Sequence, residues 1–518
     1  MALGSITLEQ KPVTTADKVP VITNWTPMVG YMVLQDDISG LYYFRLIMEV
    51  RLDDGSGTLL AKIKQRRNGY GPDITDSKAR AFFDLRDIVN SQVVDTVFDQ
   101  NQIGLPFQSI HTLGSNSGND SSGNPVTSTL FSKNGDSRAA KTQIQTIYVK
   151  AYQQYSDSAT TMPTEDDTPS VNETLIYMSA SLPLLTPRSV LAGGTIDSTY
   201  LQGAAFSKYQ ASASDDLFLS DLEIDTLPVE LYTGVGTGYV NYVQWNDTTN
   251  VGDYHTIAFL NDNDEFDSDI FKMRIRYYDS DGSPLALKWI ENKDLYGGWK
   301  PDNSEATTPS DPMDNKYQIL YFGCGPGNLQ DQTADTDLRP SDSGVDGWLY
   351  YGIQGYDSAG TTKRTAEYFF ARQSGSCKGF KVRRLAWKNT VGGYDYFNFK
   401  AKSTQTIDVE RNTYNTLTGK FNASKWYYND TMRGKQTRQT TAKLTETLNT
   451  DWLTQPQANL IEKLVTSTDV YVVENPDSEY TEPIIVTDSS FVRKTVANDK
   501  MIQYTIKIEY SNPLNTNS

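Results

Sequence analysis

Between Lys378 and Lys400 the chain reads K-G-F-K-V-R-R-L-A-W-K-N-T-V-G-G-Y-D-Y-F-N-F-K, and few local structures accommodate such a run. Phe380, Val382, Arg384 and Ala386 alternate with Lys381, Arg383, Leu385 and Trp387, the period of a strand whose two faces meet different surroundings. A second limb is aromatic at Tyr394, Tyr396, Phe397 and Phe399. Gly392-Gly393 lies between the limbs, where a tight reversal needs residues that tolerate positive φ. The expected product is a β-hairpin with Trp387 and Tyr394 near its tip and Asn389 and Asp395 placed to bond turn amides. Nothing in it is arranged for catalysis. Trp387, Asn389, Gly392, Gly393, Tyr394 and Asp395 are therefore expected to shape a domain or to meet a partner at an interface.

The same alternation of short apolar runs with polar turns recurs along the chain. Phe271–Tyr278 and Pro284–Ile290 flank Asp279-Ser280-Asp281-Gly282-Ser283, and Leu349–Tyr356 and Thr361–Phe370 flank Asp357-Ser358-Ala359-Gly360. The two turns share Tyr-Asp-Ser-x-Gly at an irregular spacing, which suits hairpins of sandwich modules and not a solenoid. Only 38% of residues are hydrophobic, but 32 tyrosines and 19 phenylalanines supply large faces to bury. At 518 residues the chain exceeds a single core. The predicted fold class is mainly β: several antiparallel β-sandwich-like domains, a short helix in the N-terminal domain, and one amphipathic helix packed on a C-terminal antiparallel sheet. The expected division is an extended arm (1–20), an N-terminal β domain with its helix (21–110), a loop-rich β region (111–225), a central sandwich-like domain (226–376) and a C-terminal α+β domain (377–518).

Local signals fill in these domains. Leu41–Leu52 and Thr58–Ile63 read as two strands joined at Asp53-Asp54-Gly55-Ser56-Gly57. Phe82, Leu85, Ile88 and Val89 fall at helical spacing within Ala79–Val94, which predicts the short helix there. Leu113–Asn124 and Ser156–Ser170 are polar and are expected as loops, with strands at Ile144–Tyr155 and Thr174–Leu182. Near the C-terminus, Trp452, Leu453, Leu460, Ile461, Leu464 and Val465 share a helical face, with an N-cap offered by Asn449-Thr450-Asp451 and Pro456 in the first turn. Strands follow at Val470–Glu474, Pro483–Val486, Phe491–Val496 and Met501–Tyr510. In the last, Ile502, Tyr504, Ile506 and Ile508 alternate with Gln503, Thr505, Lys507 and Glu509.

Charge and rare residues narrow the function. A net charge of −17 repels nucleic acid and anionic membranes but tolerates a basic neighbouring subunit. Two cysteines, Cys324 and Cys377, and two histidines, His111 and His255, do not make a zinc site of the usual kind. Whether the cysteines pair depends on the fold. The N-terminal Met-Ala-Leu-Gly-Ser-Ile-Thr has no basic segment before an apolar core, so no signal peptide is expected. No apolar run approaches the ~20 residues of a bilayer span, so no membrane insertion is expected.

Candidate chemistry is sparse. Asn261–Asp269 is dense in oxygen ligands but lacks the glycine and glutamate positions of a calcium hand, and the Asp279-x-Asp281-Gly282 turn carries a weaker claim. Solvated acidic turns are the plainer reading, so no cofactor is expected, with calcium the one ion to consider. Gly234–Gly238 lacks the Lys-Ser/Thr ending of a phosphate loop. Gly323-Cys324-Gly325-Pro326-Gly327 has no basic neighbour to activate its thiol. Trp245, Trp299 and Trp348 could stack on sugar rings if exposed, though packing is the commoner fate of such residues. Sixty-four acidic residues guarantee chance carboxylate pairs, so a glycosidase pair cannot be read from inventory.

Three stretches carry a resemblance to a known family. They are W-K-N-T-V-G-G-Y-D-Y-F-N-F from Trp387 to Phe399, Phe82-Phe83-Asp84-Leu85-Arg86-Asp87-Ile88, and a C-terminal block. That block holds Leu448–Leu453, Val470-Tyr471-Val472, Val486-Thr487-Asp488-Ser489-Ser490, and Gln503-Tyr504-Thr505-Ile506 running to Ser511-Asn512-Pro513. It resembles segments of virion structural proteins of tailed bacteriophages, of the marine and gut type. The resemblance implies a component of the virus particle (tail, collar or fibre attachment) that is assembled in the host cytoplasm and touches copies of itself and other virion proteins. It brings no catalytic residue. The leading expectation is a non-enzymatic structural protein; the alternatives are a protein that binds host-surface glycan and, behind it, a glycan-degrading tail enzyme.

Overall fold

The computed structural model describes residues 6–8, 21–23, 32–34, 40–52, 57–66, 79–81, 83–92, 144–178, 180, 209–211, 213–222, 241–261, 270–292, 299–301, 319–330, 340–341, 345–373, 379–428, 431, 433–473, 481–488, 492, 502–512 and 514. The protein is mainly β, with several sheets that are antiparallel in most of their pairings. It divides into two compact units. The first holds Met1–Gln373, Lys388–Asp395 and Asn475–Asp477; the second holds Ser374–Trp387, Tyr396–Glu474 and Ser478–Ser518. No helix among the described residues is long and apolar enough to cross a membrane.

In the first unit a five-stranded sheet runs in the order Val21–Thr23, Thr164–Met178, Ile144–Ser156, Tyr42–Leu52, Leu59–Arg66. Its inward residues Phe44, Leu46, Met48, Val50, Ile147 and Val149 pack with Ile6, Ala81, Phe83, Leu85 and Val89. Two of these, Ile6 and Ala81, come from a small sheet of Ile6–Leu8, Met32–Leu34 and Ala79–Ala81. The predicted helix over 79–94 is thus half strand. Ala79–Ala81 pairs with Met32–Leu34, and the helix itself spans Arg86–Asn90. Phe82 lies outside the described residues, whereas Phe83 and Leu85 are fully buried just before the helix.

The loop predicted at 156–170 is also corrected: a strand begins at Thr164 and runs to Met178. Two of its acids pair with lysines across the sheet. Glu165 lies 2.5 Å from Lys62 and 2.7 Å from Lys64, and Asp167 lies 3.0 Å from Lys150. Those lysine hydrogen bonds, Lys62 foremost, bring the Glu165 carboxyl down to about 2. The arm 1–20 outside Ile6–Leu8, the loop 113–124 and the acidic run 262–269 lie outside the described residues.

A seven-stranded sheet follows in the same unit, ordered Val251–Gly252, Asn241–Asn246, Tyr368–Gln373, Tyr350–Tyr356, Lys272–Tyr278, Pro284–Asn292, Trp299–Pro301. Asn241–Asn246 pairs in parallel with Tyr368–Gln373, a departure from the all-antiparallel expectation. The shared Tyr-Asp-Ser-x-Gly turns have a common mechanism. Asp279 Oδ1 accepts the amides of Asp281 and Ser283 at 2.9 and 2.8 Å, and Asp357 Oδ1 accepts those of Thr361 and Thr362 at 2.8 and 3.1 Å. Each aspartate is spent on closing its own turn. A three-stranded sheet of Ile319–Gly323, Thr256–Asn261 and Gln210–Ala211 joins this part through aromatic contacts. Phe218 meets both Phe259 of this sheet (6.3 Å) and Tyr368 of the larger one (4.7 Å) edge-on, and His255, next to Thr256, meets Phe370 at 4.9 Å.

The second unit is built on a seven-stranded sheet ordered Tyr394–Phe399, Arg383–Lys388, Val470–Val473, Thr481–Val486, Thr505–Tyr510, Lys435–Asn449, Thr404–Asn415. The predicted alternation in the last strand holds: Ile502, Tyr504, Ile506 and Ile508 are buried, and Gln503, Thr505 and Lys507 are exposed. The predicted helix spans Gln455–Thr466 and buries Ala458, Leu460, Ile461 and Leu464. Its cap is not at 449–451 but at Thr454, in a capping box with Gln457 and with Pro456 in the first turn. Most of the strand expected at Phe491–Val496 lies outside the described residues.

Candidate functional site

The six residues singled out from the hairpin are placed inside the folded chain. Trp387, Asn389, Tyr394 and Asp395 are buried, and Gly392 takes φ 95°, as the reversal requires. Asn389 organises the turn: its Oδ1 accepts the amides of Val391 at 3.2 Å and Gly393 at 2.8 Å. Its Nδ2 donates 2.8 Å to the carbonyl of Leu219, so the turn residues 388–395 sit on the segment 218–222. Asp395, expected to bond an amide of its own turn, instead accepts the Ser220 hydroxyl at 2.6 Å and the Asp221 amide at 2.9 Å. Asp221 answers by accepting both the amide (2.8 Å) and the hydroxyl of Thr390. Two carboxylates therefore face each other within a clasp of four donors. The contacts described for Asn389 and Asp395 beyond their own turn are with the segment 218–222 of the same chain.

Burial, and then the charge of Asp221, push the Asp395 carboxyl up to about 7. An unfolded aspartate titrates near ~3.9, so between roughly pH 4 and 7 the folded chain keeps a proton that the unfolded chain has released. This contribution to stability is complete below about pH 4, declines as pH rises, by at most ~1.4 kcal/mol per unit, and is lost above about pH 7. Asp395→Asn keeps one acceptor and removes the titration. Denaturant unfolding at a series of pH values is expected to show a shallower decline for the variant between pH 4 and 7. Parallel profiles for the two proteins would remove Asp395 as the source.

Two of the three tryptophans considered for sugar stacking are buried in the fold. Trp348 is buried against Tyr277 and Tyr351 at 5.9 and 5.4 Å, and Trp245 is buried with its Nε1 bonded to Asp247. Nothing is described of the Trp299 side chain. Cys324 and His255 are buried, and Cys377, His111 and Gly234–Gly238 lie outside the described residues.

The surface feature that sequence reasoning missed is the stretch from Thr404 to Asn449. Thr404–Asn415 pairs antiparallel with Lys435–Asn449 along its whole length, about 40 Å at ~3.4 Å per residue. Among the described residues only Thr445–Asn449 has a further neighbour, Thr505–Glu509, so 407–415 and 435–444 form a two-stranded ribbon. Every residue of Thr404–Asn415 is exposed. One ribbon face carries the cross-strand pairs Ile407 with Leu444 and Val409 with Ala442, and Ile407 is 59% exposed. The ribbon ends in a small hairpin, Lys420–Asn422 with Lys425–Tyr427, where Phe421 meets Trp426 edge-on at 5.0 Å. Phe421, Trp426, Tyr427 and Tyr428 are exposed there. The sequence 416–438 carries five basic residues, Lys420, Lys425, Arg433, Lys435 and Arg438, and one acid, Asp430. The available signal was the mirrored Thr-rich alternation on both sides of Asn422-Ala423-Ser424.

No protein-family model matches the chain, and no curated protein matches it.

Proposed function

We propose that the chain is a non-enzymatic structural component of a tailed-phage virion, in the tail, collar or fibre attachment, acting through interfaces between subunits. The ribbon at 404–449 carries this reading. A lone two-stranded hairpin is marginal in water, and exposed apolar pairs on it mark a surface for covering. The phage-like stretches at Trp387–Phe399 and in the C-terminal block point the same way. The clasp at Asp395 is consistent with it, because donors from the chain fill the carboxylate positions that a substrate would need. Mass spectrometry and imaging of purified virions of the encoding phage test the proposal. The chain is expected in fixed stoichiometry with other particle proteins, and its absence from particles made in cells that express it would overturn the assignment. The exposed Trp426, Tyr427 and Tyr428 favour glycan binding as the second reading.

A further inference from the structure

The ribbon tip differs from the rest of the chain in charge. Within 416–438 lie five basic residues and one acid, whereas the whole chain stands at −17. Lys420, Lys425, Arg433, Lys435 and Arg438 are exposed, and they are interleaved with exposed Leu417, Phe421, Trp426, Tyr427 and Tyr428. The tip is nevertheless built to a definite shape. Gly419 lies against the Trp426 indole so closely that a Cβ would stand 2.3 Å from it. Tyr414 donates to Gln436 at 2.9 Å, and Thr416 bonds the carbonyl of Arg433 and, through its amide, that of Gly434. A preformed basic and aromatic tip has little conformational freedom left to lose on docking.

We infer that the ribbon 404–449 docks on a second copy of this chain, with its basic, aromatic tip seated on that copy's acidic surface. The inference rests on the reading of the chain as a subunit that acts through interfaces, and it names the partner. Charge favours this occupant at the tip: the acidic surface of a second copy, net −17, attracts a segment rich in lysine and arginine. A nucleic acid would satisfy the lysines and stack on the aromatics, but it would leave Ile407, Val409, Ala442 and Leu444 uncovered. A protein surface can cover both the apolar face and the charged tip. The ribbon's outer strand, Thr404–Asn415, is also a sheet edge with no further strand partner among the described residues, which leaves its main-chain groups open to the same neighbour.

The test uses the purified full-length chain in analytical ultracentrifugation. Wild type is expected to self-associate at low ionic strength, where the screening length is ~30 Å, and to weaken as salt approaches 1 M, where it is ~3 Å. Lys420→Glu, Lys425→Glu and Arg438→Glu combined should weaken association about tenfold or more. These side chains are exposed, so circular dichroism should match wild type. Trp426→Ala with Phe421→Ala is a second variant that leaves charge untouched and should also weaken association. A chain that stays monomeric at every concentration and salt reached, or an association that is indifferent to salt or to both variants, would overturn the inference. So would a charge-reversal variant that loses binding to single-stranded nucleic acid or sulfated polysaccharide while its self-association is unchanged. Virion composition is read separately. A chain present in particles but lacking ribbon-dependent association defeats this inference alone, and an associating chain absent from particles defeats the functional reading alone.

Discussion

Arg383→Met is expected to destabilise the second unit by about 3–5 kcal/mol, the usual cost of stripping one partner from a buried ion pair. Glu446 sits at the base of the ribbon with almost no solvent contact. Its Oε1 takes the Arg383 Nε at 3.0 Å, and its Oε2 takes the Tyr510 hydroxyl at 2.6 Å and the Gln405 amide at 3.1 Å. Burial alone would raise its pKa, but these donors outweigh burial and hold it below the ordinary glutamate value. Removing the guanidinium leaves Glu446 charged, buried and only half satisfied. The linked pH effect has a definite sign. A lowered folded pKa gives stability that is present above the unfolded glutamate pKa of ~4.3 and is lost as pH falls below it. The gap between wild type and variant should therefore narrow in acid. Amide hydrogen exchange over 435–449 and 505–510 is the direct readout, with exchange expected to accelerate about a hundredfold or more. Combining Arg383→Met with Glu446→Leu should recover much of the loss, because replacing both members of a buried pair removes the uncompensated charge. Unchanged exchange in the single variant would show that Tyr510, Ser403 and Gln405 suffice.

These positions also show what was legible in the chain. Ile502–Tyr510 could be read because its period-2 pattern survives in the fold: one face is core and the other is solvent. The Tyr-Asp-Ser-x-Gly turns could be read because the aspartate acts on amides only a few residues away. Arg383–Lys388 was only half legible. Alternation suggested two different environments, but both faces are buried: Arg383 turns to Glu446, and Arg384 bonds Asn398 at 2.8 Å and lies over the Tyr396 ring. Their partners lie 63 and 14 residues away, and no local pattern records them. Thr164–Met178 was hidden because its acids look like a solvated loop until Lys62, Lys64 and Lys150 are placed opposite. The ribbon escaped for a related reason. A strand exposed on both faces has no core to enforce a hydrophobic period, so Ile407 and Val409 are its only strong marks.

Gly393→Ala should be the most damaging glycine substitution in the hairpin, at about 3 kcal/mol. Sequence alone assigns Gly392 and Gly393 the same task, a tight reversal, but the structure separates them. Gly392 needs its glycine for φ 95°, a strain of about 1–2 kcal/mol for another residue. Gly393 needs it for space, since a Cβ would stand 2.1 Å from the carbonyl oxygen of Leu219. That carbonyl cannot easily retreat: it accepts the Asn389 side chain at 2.8 Å, and the Leu219 amide is held by Ala258 at 2.7 Å. A methyl group must therefore lift the turn away from 218–222. Lifting it breaks the Asn389 contact, the Ser220 and Asp221 bonds to Asp395, and the Thr390 bonds to Asp221 together. The loss is cooperative because one rigid turn carries all of them. Gly40, whose Cβ would meet nothing within 4 Å, supplies the control. Hydrogen exchange at 219–222 and 390–395 should rank Gly393→Ala above Gly392→Ala, and both above Gly40→Ala. If Gly393→Ala and Gly40→Ala exchange alike, the turn is not seated on Leu219, and the shifted titration of Asp395 loses its structural basis.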